Sequence, residues 1–134
     1  MRDLVVLEQE KEITQLDGRT VCWLQMASHD GGVKFSSICT CVYEPGKYAR
    51  PAHSHPGGEE TIYVISGKGK VKIGKDIYDL LPGSLAFFPQ GVPHMVANTE
   101  AEPLHIVCFY APGGEAAKYR FHEDFTFPGV TDKE

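Results

Sequence analysis

The sequence predicts an all-β domain with a short C-terminal extension, and three observations support this prediction. Glycine and proline interrupt the chain at short intervals, and the segments between them are rich in β-branched and aromatic residues. No stretch before residue 113 has the apolar periodicity of an amphipathic helix. The length of 134 residues is typical of one domain. We therefore expect a single unit over residues 1–134.

Each predicted strand lies between turn residues. The turn Ser28–Gly32 follows the first long strand, and Gly74-Lys75-Asp76 is the signature of a tight hairpin. In chain order the predicted strands cover residues 19–26, 33–43, 53–55, 61–65, 70–73, 77–81, 84–88, 93–98 and 104–110. The residues after 113 include several phenylalanines, so we expect this tail to pack on its own domain or on a partner subunit.

The charge balance argues against nucleic acid as a partner. The formal net charge is −5, whereas phosphate binding requires concentrated Lys and Arg. Four lysines do cluster, but they alternate on a predicted hairpin and are better interpreted as a solvated edge: Lys68, Lys70, Lys72 and Lys75.

The N-terminal segment suggests a cytoplasmic protein that does not associate with a membrane. Its longest apolar run is four residues, Leu4–Leu7, too short for a signal peptide or a membrane span. The four cysteines are accordingly expected to be reduced thiols. Cys39 and Cys41 share a strand face; a soft-metal site is conceivable there, but small buried core residues are the better interpretation.

Three histidines and one glutamate have a spacing that suggests a metal site. His53 and His55 are separated by one residue, so on a strand both side chains point to the same face. Glu60 follows on the next strand after a Pro-Gly-Gly loop, and His94 comes from a distant strand. A mixed set of imidazole and carboxylate ligands suits a divalent transition metal.

These residues lie in two segments that resemble the paired sequence motifs of the cupin superfamily. The segments are Gly46-x6-His53-x-His55-x4-Glu60-x6-Gly67 and Gly83-x5-Pro89-x-Gly91-x2-His94-x3-Asn98. The second matches the family pattern at every fixed position. In the first, Gly46 lies one residue farther from His53 than in the family, and Glu60 rather than Glu59 has the spacing of the ligand. The resemblance spans about residues 35–110.

The resemblance implies a double-stranded β-helix, the cupin jelly-roll barrel, with N-terminal strands within 3–27 and a C-terminal tail over 113–134. It also implies that His53, His55, Glu60 and His94 bind one divalent metal ion per subunit. Cupins use manganese, iron, nickel, zinc, cobalt and copper with this ligand set, so the metal stays open. Small cupins commonly form dimers, and we expect a homodimer.

His105 is the candidate for a catalytic acid or base. It alternates with Val107 and Phe109 on a late strand, and in cupins a late strand contributes to the cavity wall. The opposite face of that strand is more apolar and is an alternative inward face. Tyr43 and Tyr110 are further candidates for a group in the cavity. Arg50, three residues before His53, is either a contact for an anionic substrate or an ordinary surface residue.

Two functions follow from this site. The first is a small metal-dependent enzyme of the isomerase, decarboxylase, lyase or dioxygenase type, acting on a polar organic acid or a sugar-derived small molecule. The alternative is a non-catalytic module that binds or senses a small molecule through the metal. The residues do not choose among the reactions, because open positions on the metal support all of them.

Overall fold

The computed structural model describes residues 2–133, and Lys133 through its backbone only. Met1 and Glu134, the ends of the predicted range, therefore lie outside the described residues. The strands are β1 (Thr14–Leu16), β2 (Arg19–Gln25), β3 (Ser37–Tyr43), β4 (Ala52–Ser54), β5 (Glu59–Ser66), β6 (Gly69–Ile73), β7 (Asp76–Leu80), β8 (Leu85–Phe88), β9 (His94–Ala97), β10 (Leu104–Ala111) and β11 (Arg120–His122). Short 3₁₀ turns cover Glu8–Glu10, Gly113–Glu115 and Thr131–Lys133. The all-β prediction is confirmed.

The strands form two antiparallel sheets that enclose the core. The larger sheet has the order β1-β2-β3-β10-β5-β8, and the smaller has the order β11-β4-β9-β6-β7. Strand β10 lies between β3 and β5, so segments far apart in the sequence become neighbours; Cys39 pairs with Cys108, for example. Such crossovers bring distant residues to one point between the sheets.

Every strand predicted from the sequence is present, with ends shifted by a few residues. The largest difference is at residues 33–36, which precede β3 and do not join it. Strand β1 lies within the range 3–27 expected to hold N-terminal strands, but its bounds were not predicted, and β11 was not predicted at all. Both have only three residues and lack the apolar run that marks a strand in a sequence.

The core lies between the two sheets, and every second side chain of a strand points into it. On β5, Ile62 and Val64 are completely buried, whereas Tyr63 and Ile65 point outward and are exposed. On β10, Leu104 and Ile106 are buried on the inner face. The inner faces of β5 and β10 therefore supply branched aliphatic side chains to the core.

The C-terminal tail packs against the outer face of the smaller sheet. Phe127 is completely buried in a second apolar cluster with Met95 and Ala97 of β9, and with Tyr48 and Ala52. The tail thus packs on its own domain, one of the two expected arrangements. None of the described helices has the length and apolar character needed to cross a membrane.

Candidate metal centre

Four potential ligands meet between the sheets. His53 lies on β4, His55 follows that strand directly, His94 lies on β9 and Glu60 lies on β5. All four side chains are buried, and their candidate ligand atoms lie within 4.8 Å of one another. The structure therefore brings together all four residues that the sequence predicted as a set.

The loops next to these strands determine how the ligands are presented. After His55, the chain turns through Pro56-Gly57-Gly58, and the Gly91 amide from the loop before β9 donates to the His55 carbonyl at 3.1 Å. This hydrogen bond ties together the loops that carry two of the histidines. Within β5, Glu60 is buried and Glu59 is exposed, which confirms the expectation from strand alternation.

The outer nitrogens of two histidines are held by backbone carbonyls. His55 Nδ1 lies 3.2 Å from the Lys118 carbonyl oxygen and 3.3 Å from that of Glu115, and His94 Nδ1 lies 3.2 Å from the Val92 carbonyl oxygen. A carbonyl can only accept, so Nδ1 carries the proton in both rings. The Nε2 lone pairs are consequently free to bind a ligand, as in metal sites whose histidines donate their other N–H to a carbonyl.

The inner atoms of the site are buried and have no hydrogen-bond partner. They are Nε2 of His55, Nε2 of His94 and Oε1 of Glu60. The two nitrogens lie 3.2 and 3.3 Å from the carboxylate oxygen, without hydrogen-bond geometry. With Nδ1 protonated, all three atoms are acceptors and cannot satisfy one another. A cation at their centre would satisfy all of them, so the donor set fits a divalent transition metal.

The electrostatics of the site favour the metal-binding protonation states. Burial, and then the neighbouring His94, holds the pKa of His53 well below its usual range, so this imidazole is neutral at physiological pH. Burial alone would raise the pKa of Glu60, but positive charge on the facing His55 and His94 rings lowers it well below its usual range, and a metal ion between neutral rings would act in the same direction. Neutral His53 and ionised Glu60 are the forms that bind metals.

Three of the four residues, His53, Glu60 and His94, line a small space between the sheets, which we call the inner cavity. Its volume is about 20 Å³, enough for about one water molecule. Tyr43 and Tyr110 line it, as the sequence predicted. Its remaining lining is Arg19, Val21, Trp23, Cys41, Ala49, Phe88, Val96, Ile106, Cys108 and Tyr119.

The C-terminal tail closes the inner cavity, which was not predicted. The Tyr119 ring lies edge-on against His53, with 4.8 Å between centroids, and 5.1 Å from the His55 ring. Strand β11 pairs with β4, and a hydrogen bond of 2.9 Å joins His122 Nε2 to Ser54 Oγ. The aromatic content of the tail indicated that it would pack, but not that Tyr119 would contact the histidines.

The expectation that His105 lines the cavity is wrong. The inner face of β10 carries Leu104, Ile106 and Cys108, so His105 points to the outside of the larger sheet. There its Nε2 lies 3.4 Å from Oε2 of Glu8. The apolar face was the inward one because burying aliphatic groups is favourable and burying an imidazole is not.

Arg50 also lies outside the inner cavity, whereas Arg19 lines it. The Arg50 side chain is exposed and forms an ion pair of 3.0 Å with Asp17. Arg19 shares the inner face of β2 with Val21 and Trp23. In the sequence, Arg19 alternates with Val21 and Trp23 and therefore shares a strand face with them. The opposite face of this strand is equally apolar, so the sequence did not show which face points inward.

A cluster of cysteines lies in the core beside the inner cavity. The sulfur atoms of Cys39, Cys41 and Cys108 lie within 4.8 Å of one another, and those of Cys41 and Cys108 are 3.9 Å apart. All four cysteines are buried and free, so no disulfide links the sheets. Cys39 and Cys41 occupy the core positions that the sequence favoured.

Comparison with known proteins identifies this architecture. The model of the cupin domain family matches residues 39–110. An uncharacterised protein of Methanocaldococcus jannaschii is 28% identical over 60 residues, covering 45% of this chain and 48% of that protein. The chain thus spans about half the length of this curated relative, and about a quarter of the germin-like proteins that it also matches.

Solved structures share the fold. An uncharacterised Klebsiella pneumoniae protein with a double-stranded β-helix domain superposes with a TM-score of 0.73 and 22% identity, covering 92% of this chain and all of that one. Bacillus subtilis oxalate decarboxylase, in an S161A mutant, superposes with a TM-score of 0.69 and 23% identity, over 79% of this chain and 29% of the enzyme. At these identities the likeness establishes the double-stranded β-helix and not the reaction.

Proposed function

Because this chain belongs to the cupin family, we propose that it is a small metal-dependent enzyme acting on a polar organic acid or a sugar-derived small molecule, with residues 1–134 forming one cupin domain. One observation carries the proposal. Three buried acceptor atoms, on His55, His94 and Glu60, converge without any hydrogen bond. Leaving three such atoms unsatisfied is costly, and a metal ion removes this cost.

The proposed ligands are His53, His55, Glu60 and His94, with one divalent ion per subunit. Manganese, iron, nickel, zinc and cobalt all suit this mixed nitrogen and oxygen set. When bound, such an ion polarises a substrate oxygen as a Lewis acid, or supports oxygen chemistry if it is iron. Structures of Bacillus subtilis oxalate decarboxylase are described as containing Mn(II) centres, which makes manganese a reasonable first choice.

The chain itself supplies orientation and a water-poor wall. Phe88 stacks on the His94 ring at 3.9 Å, and backbone carbonyls hold His94 and His55 in one tautomer. We assign hydrogen-bond donation to a bound ligand to the phenols of the inner cavity, not to His105. Burial raises the pKa of Tyr119 to about 12 and raises that of Tyr110 well above its usual range. At neutral pH these hydroxyls therefore donate hydrogen bonds and do not act as bases.

The alternative function, a metal-dependent binding or sensing module without turnover, is favoured by a different observation. The inner cavity holds about one water molecule and is closed by Tyr119, so the described conformation has little room for a substrate beside a metal. The two functions make different demands on the tail. An enzyme requires the tail, or another part of the cavity wall, to move in every cycle, whereas a binding module requires only that the ligand be held.

We further propose that the protein is a cytoplasmic homodimer. Apolar side chains form a continuous patch on the outside of β5, β8 and β10, and they are Tyr63, Ile65, Leu85, Phe87 and Phe109. Patches of this kind are typical of subunit contacts. Dimerisation through this patch predicts that Leu85→Lys yields a monomer by sedimentation velocity. A wild-type protein that is already monomeric would contradict the proposed dimer.

The proposed cytoplasmic location rests on the cysteines. Buried free thiols are compatible with a reducing compartment such as the cytoplasm.

Elemental analysis of the purified protein tests the proposed function. We expect about one equivalent of a transition metal per subunit, retained through gel filtration, and loss of this metal in Glu60→Gln. Glu59→Gln is the matched control, because Glu59 is adjacent but exposed. Metal-free protein that also takes up no manganese, iron, cobalt, nickel or zinc on titration would contradict both the enzyme and the metal-dependent binding module.

A further inference from the structure

Arg19 places a positive charge at the inner cavity. It begins β2, and strand alternation directs it to the same side as Val21 and Trp23, which also line the cavity. Tyr43, across the neighbouring strand, lines the cavity as well. Arg19 is only partly exposed, so part of its side chain has been removed from water. A guanidinium stays charged at any physiological pH.

Among residues 2–132, this charge has no carboxylate partner. The hydrogen bond of its side chain goes to the backbone: Nη1 donates to the Asp17 carbonyl oxygen at 3.2 Å. Within residues 2–133, no acidic side chain forms an ion pair with Arg19, and the Asp17 carboxylate is engaged by Arg50 at 3.0 Å. Removing a charge from water without a counter-ion is unfavourable, so the site has a deficit of negative charge that a bound anion would relieve.

Arg19 also stands where the inner cavity meets a larger opening. A groove of about 600 Å³, which we call the outer groove, lies along the β1–β2 turn and the segments 44–50 and 97–99. Arg19 is part of the lining of both spaces. The β1–β2 turn is held close to the neighbouring chain, because Gly18 has φ +88° and a Cβ there would lie 1.7 Å from the Tyr48 carbonyl oxygen. The base of Arg19 is thereby fixed.

Building on the metal-dependent function above, we propose that Arg19 binds the carboxylate of a small organic acid, which reaches the metal centre from the outer groove. The planar guanidinium presents two parallel N–H groups, and these match the two oxygens of a carboxylate. The small inner cavity favours a compact acid over a sugar phosphate. Arg19 is thus assigned as a residue that determines specificity for the charged end of the ligand.

Trp23 supplies the means to test this proposal. It is the only tryptophan of the chain and lines the inner cavity on the same strand face as Arg19. Its fluorescence should therefore change when a ligand enters. We would titrate cobalt-loaded protein with acetate, and in parallel with neutral acetamide and with inorganic phosphate. The variants are Arg19→Met, Arg19→Lys and, as the matched control, Arg120→Met, since Arg120 is exposed and lines neither the inner cavity nor the outer groove.

Acetate is expected to bind the wild type more tightly than acetamide or phosphate. We expect Arg19→Met to weaken acetate binding by about 10- to 100-fold, the usual effect of losing a charged hydrogen-bond pair. Arg19→Lys keeps the charge but not the planar pair of N–H groups, so it should bind acetate with intermediate affinity. Arg120→Met should bind acetate as the wild type does. If Arg19→Met fails to fold, the acetate affinity of Arg19→Lys relative to the wild type tests the proposal instead.

Three results would overturn the proposal: acetate binding that is equal in the wild type and the Arg19 variants, no acetate binding by the wild type, or a preference for phosphate. Cobalt uptake is measured separately on each protein before titration. Failure to take up cobalt or any of the other four metals named above would refute the proposed metal centre, whereas normal uptake with binding that does not depend on Arg19 would refute only this inference.

Discussion

His53 and His94 lie directly opposite each other on β4 and β9, with 4.7 Å between their ring centroids. This is the one register pair that joins these two strands, because β4 has only three residues. Backbone hydrogen bonds between β4 and β9 position the two imidazoles, so the candidate metal centre is built on sheet pairing and not on a flexible loop.

Removal of one histidine should abolish tight metal binding. We expect His94→Gln to weaken metal affinity by at least about 100-fold, because even residues that only orient a ligand contribute about 10- to 100-fold. Competition with a chelator of known affinity measures this effect. His29→Gln is the matched control, since His29 is exposed and lies in a turn. Equal affinities in wild type and His94→Gln would exclude His94 as a ligand.

Metal removal should destabilise the protein. In the metal-free state the acceptors on His55, His94 and Glu60 are buried without partners, and a metal binds only the folded arrangement. With free metal at 100 times its Kd, the free energy of unfolding should rise by about 2.7 kcal/mol. Urea titrations with and without the metal measure the difference, which should vanish in Glu60→Gln. A stability that does not respond to metal would count against the site.

The residues that could be assigned from the sequence are those whose pattern is local or shared with a family. His53 and His55 depend on strand alternation, and Glu60 and His94 on their spacing from glycines in the two segments. Glu59 and Glu60 were separated correctly by the period of two along a strand. These features do not depend on the rest of the fold, so they could be predicted from the sequence.

The features that could not be predicted depend on contacts between distant segments. The packing of β10 against β3 and β5 determines which of its faces points inward. The position of His105 on one face was not enough to predict this. The position of Tyr119 over His53 depends on the pairing of β11 with β4, two strands of three residues each. Arg19 could not be assigned for the same reason, because both faces of β2 carry apolar residues.

Tyr119 should control how fast a metal leaves. Its ring covers His53 and His55, and an aromatic contact of this kind contributes about 0.5–1.5 kcal/mol. We therefore expect Tyr119→Ala to accelerate extraction of the metal by EDTA by up to about 10-fold. Phe121→Ala is the matched control: Phe121 is exposed and stacks on Tyr119 without a ring contact to the histidines. Identical extraction rates in wild type and Tyr119→Ala would show that the tail does not close the site.

His105 should contribute to stability and not to the metal centre. Its ion pair with Glu8 is partly exposed, and pairs of this kind contribute at most about 1 kcal/mol. We expect His105→Gln to reduce the free energy of unfolding by less than this, with unchanged metal stoichiometry and affinity. Glu8→Gln should have a similar effect on stability. A large loss of metal from His105→Gln would restore His105 as a candidate for the site.

Alkaline pH should destabilise the protein through its buried phenols. Burial raises the pKa of Tyr43 well above its usual range, while in the unfolded chain a tyrosine titrates near about 10. Between these values the folded state holds the proton that the unfolded state releases. The stabilising contribution is therefore complete below about pH 10 and is lost as the pH rises towards the folded pKa.

The isosteric variant Tyr43→Phe tests this prediction. Because it removes the titrating group and keeps the ring, its free energy of unfolding should fall less between pH 9 and pH 11 than that of the wild type, both proteins being metal-free. Tyr78→Phe is the matched control, since Tyr78 is exposed. A decrease in Tyr43→Phe as large as in the wild type would mean that Tyr43 releases its proton without unfolding, through a cavity more open to water than its small volume suggests.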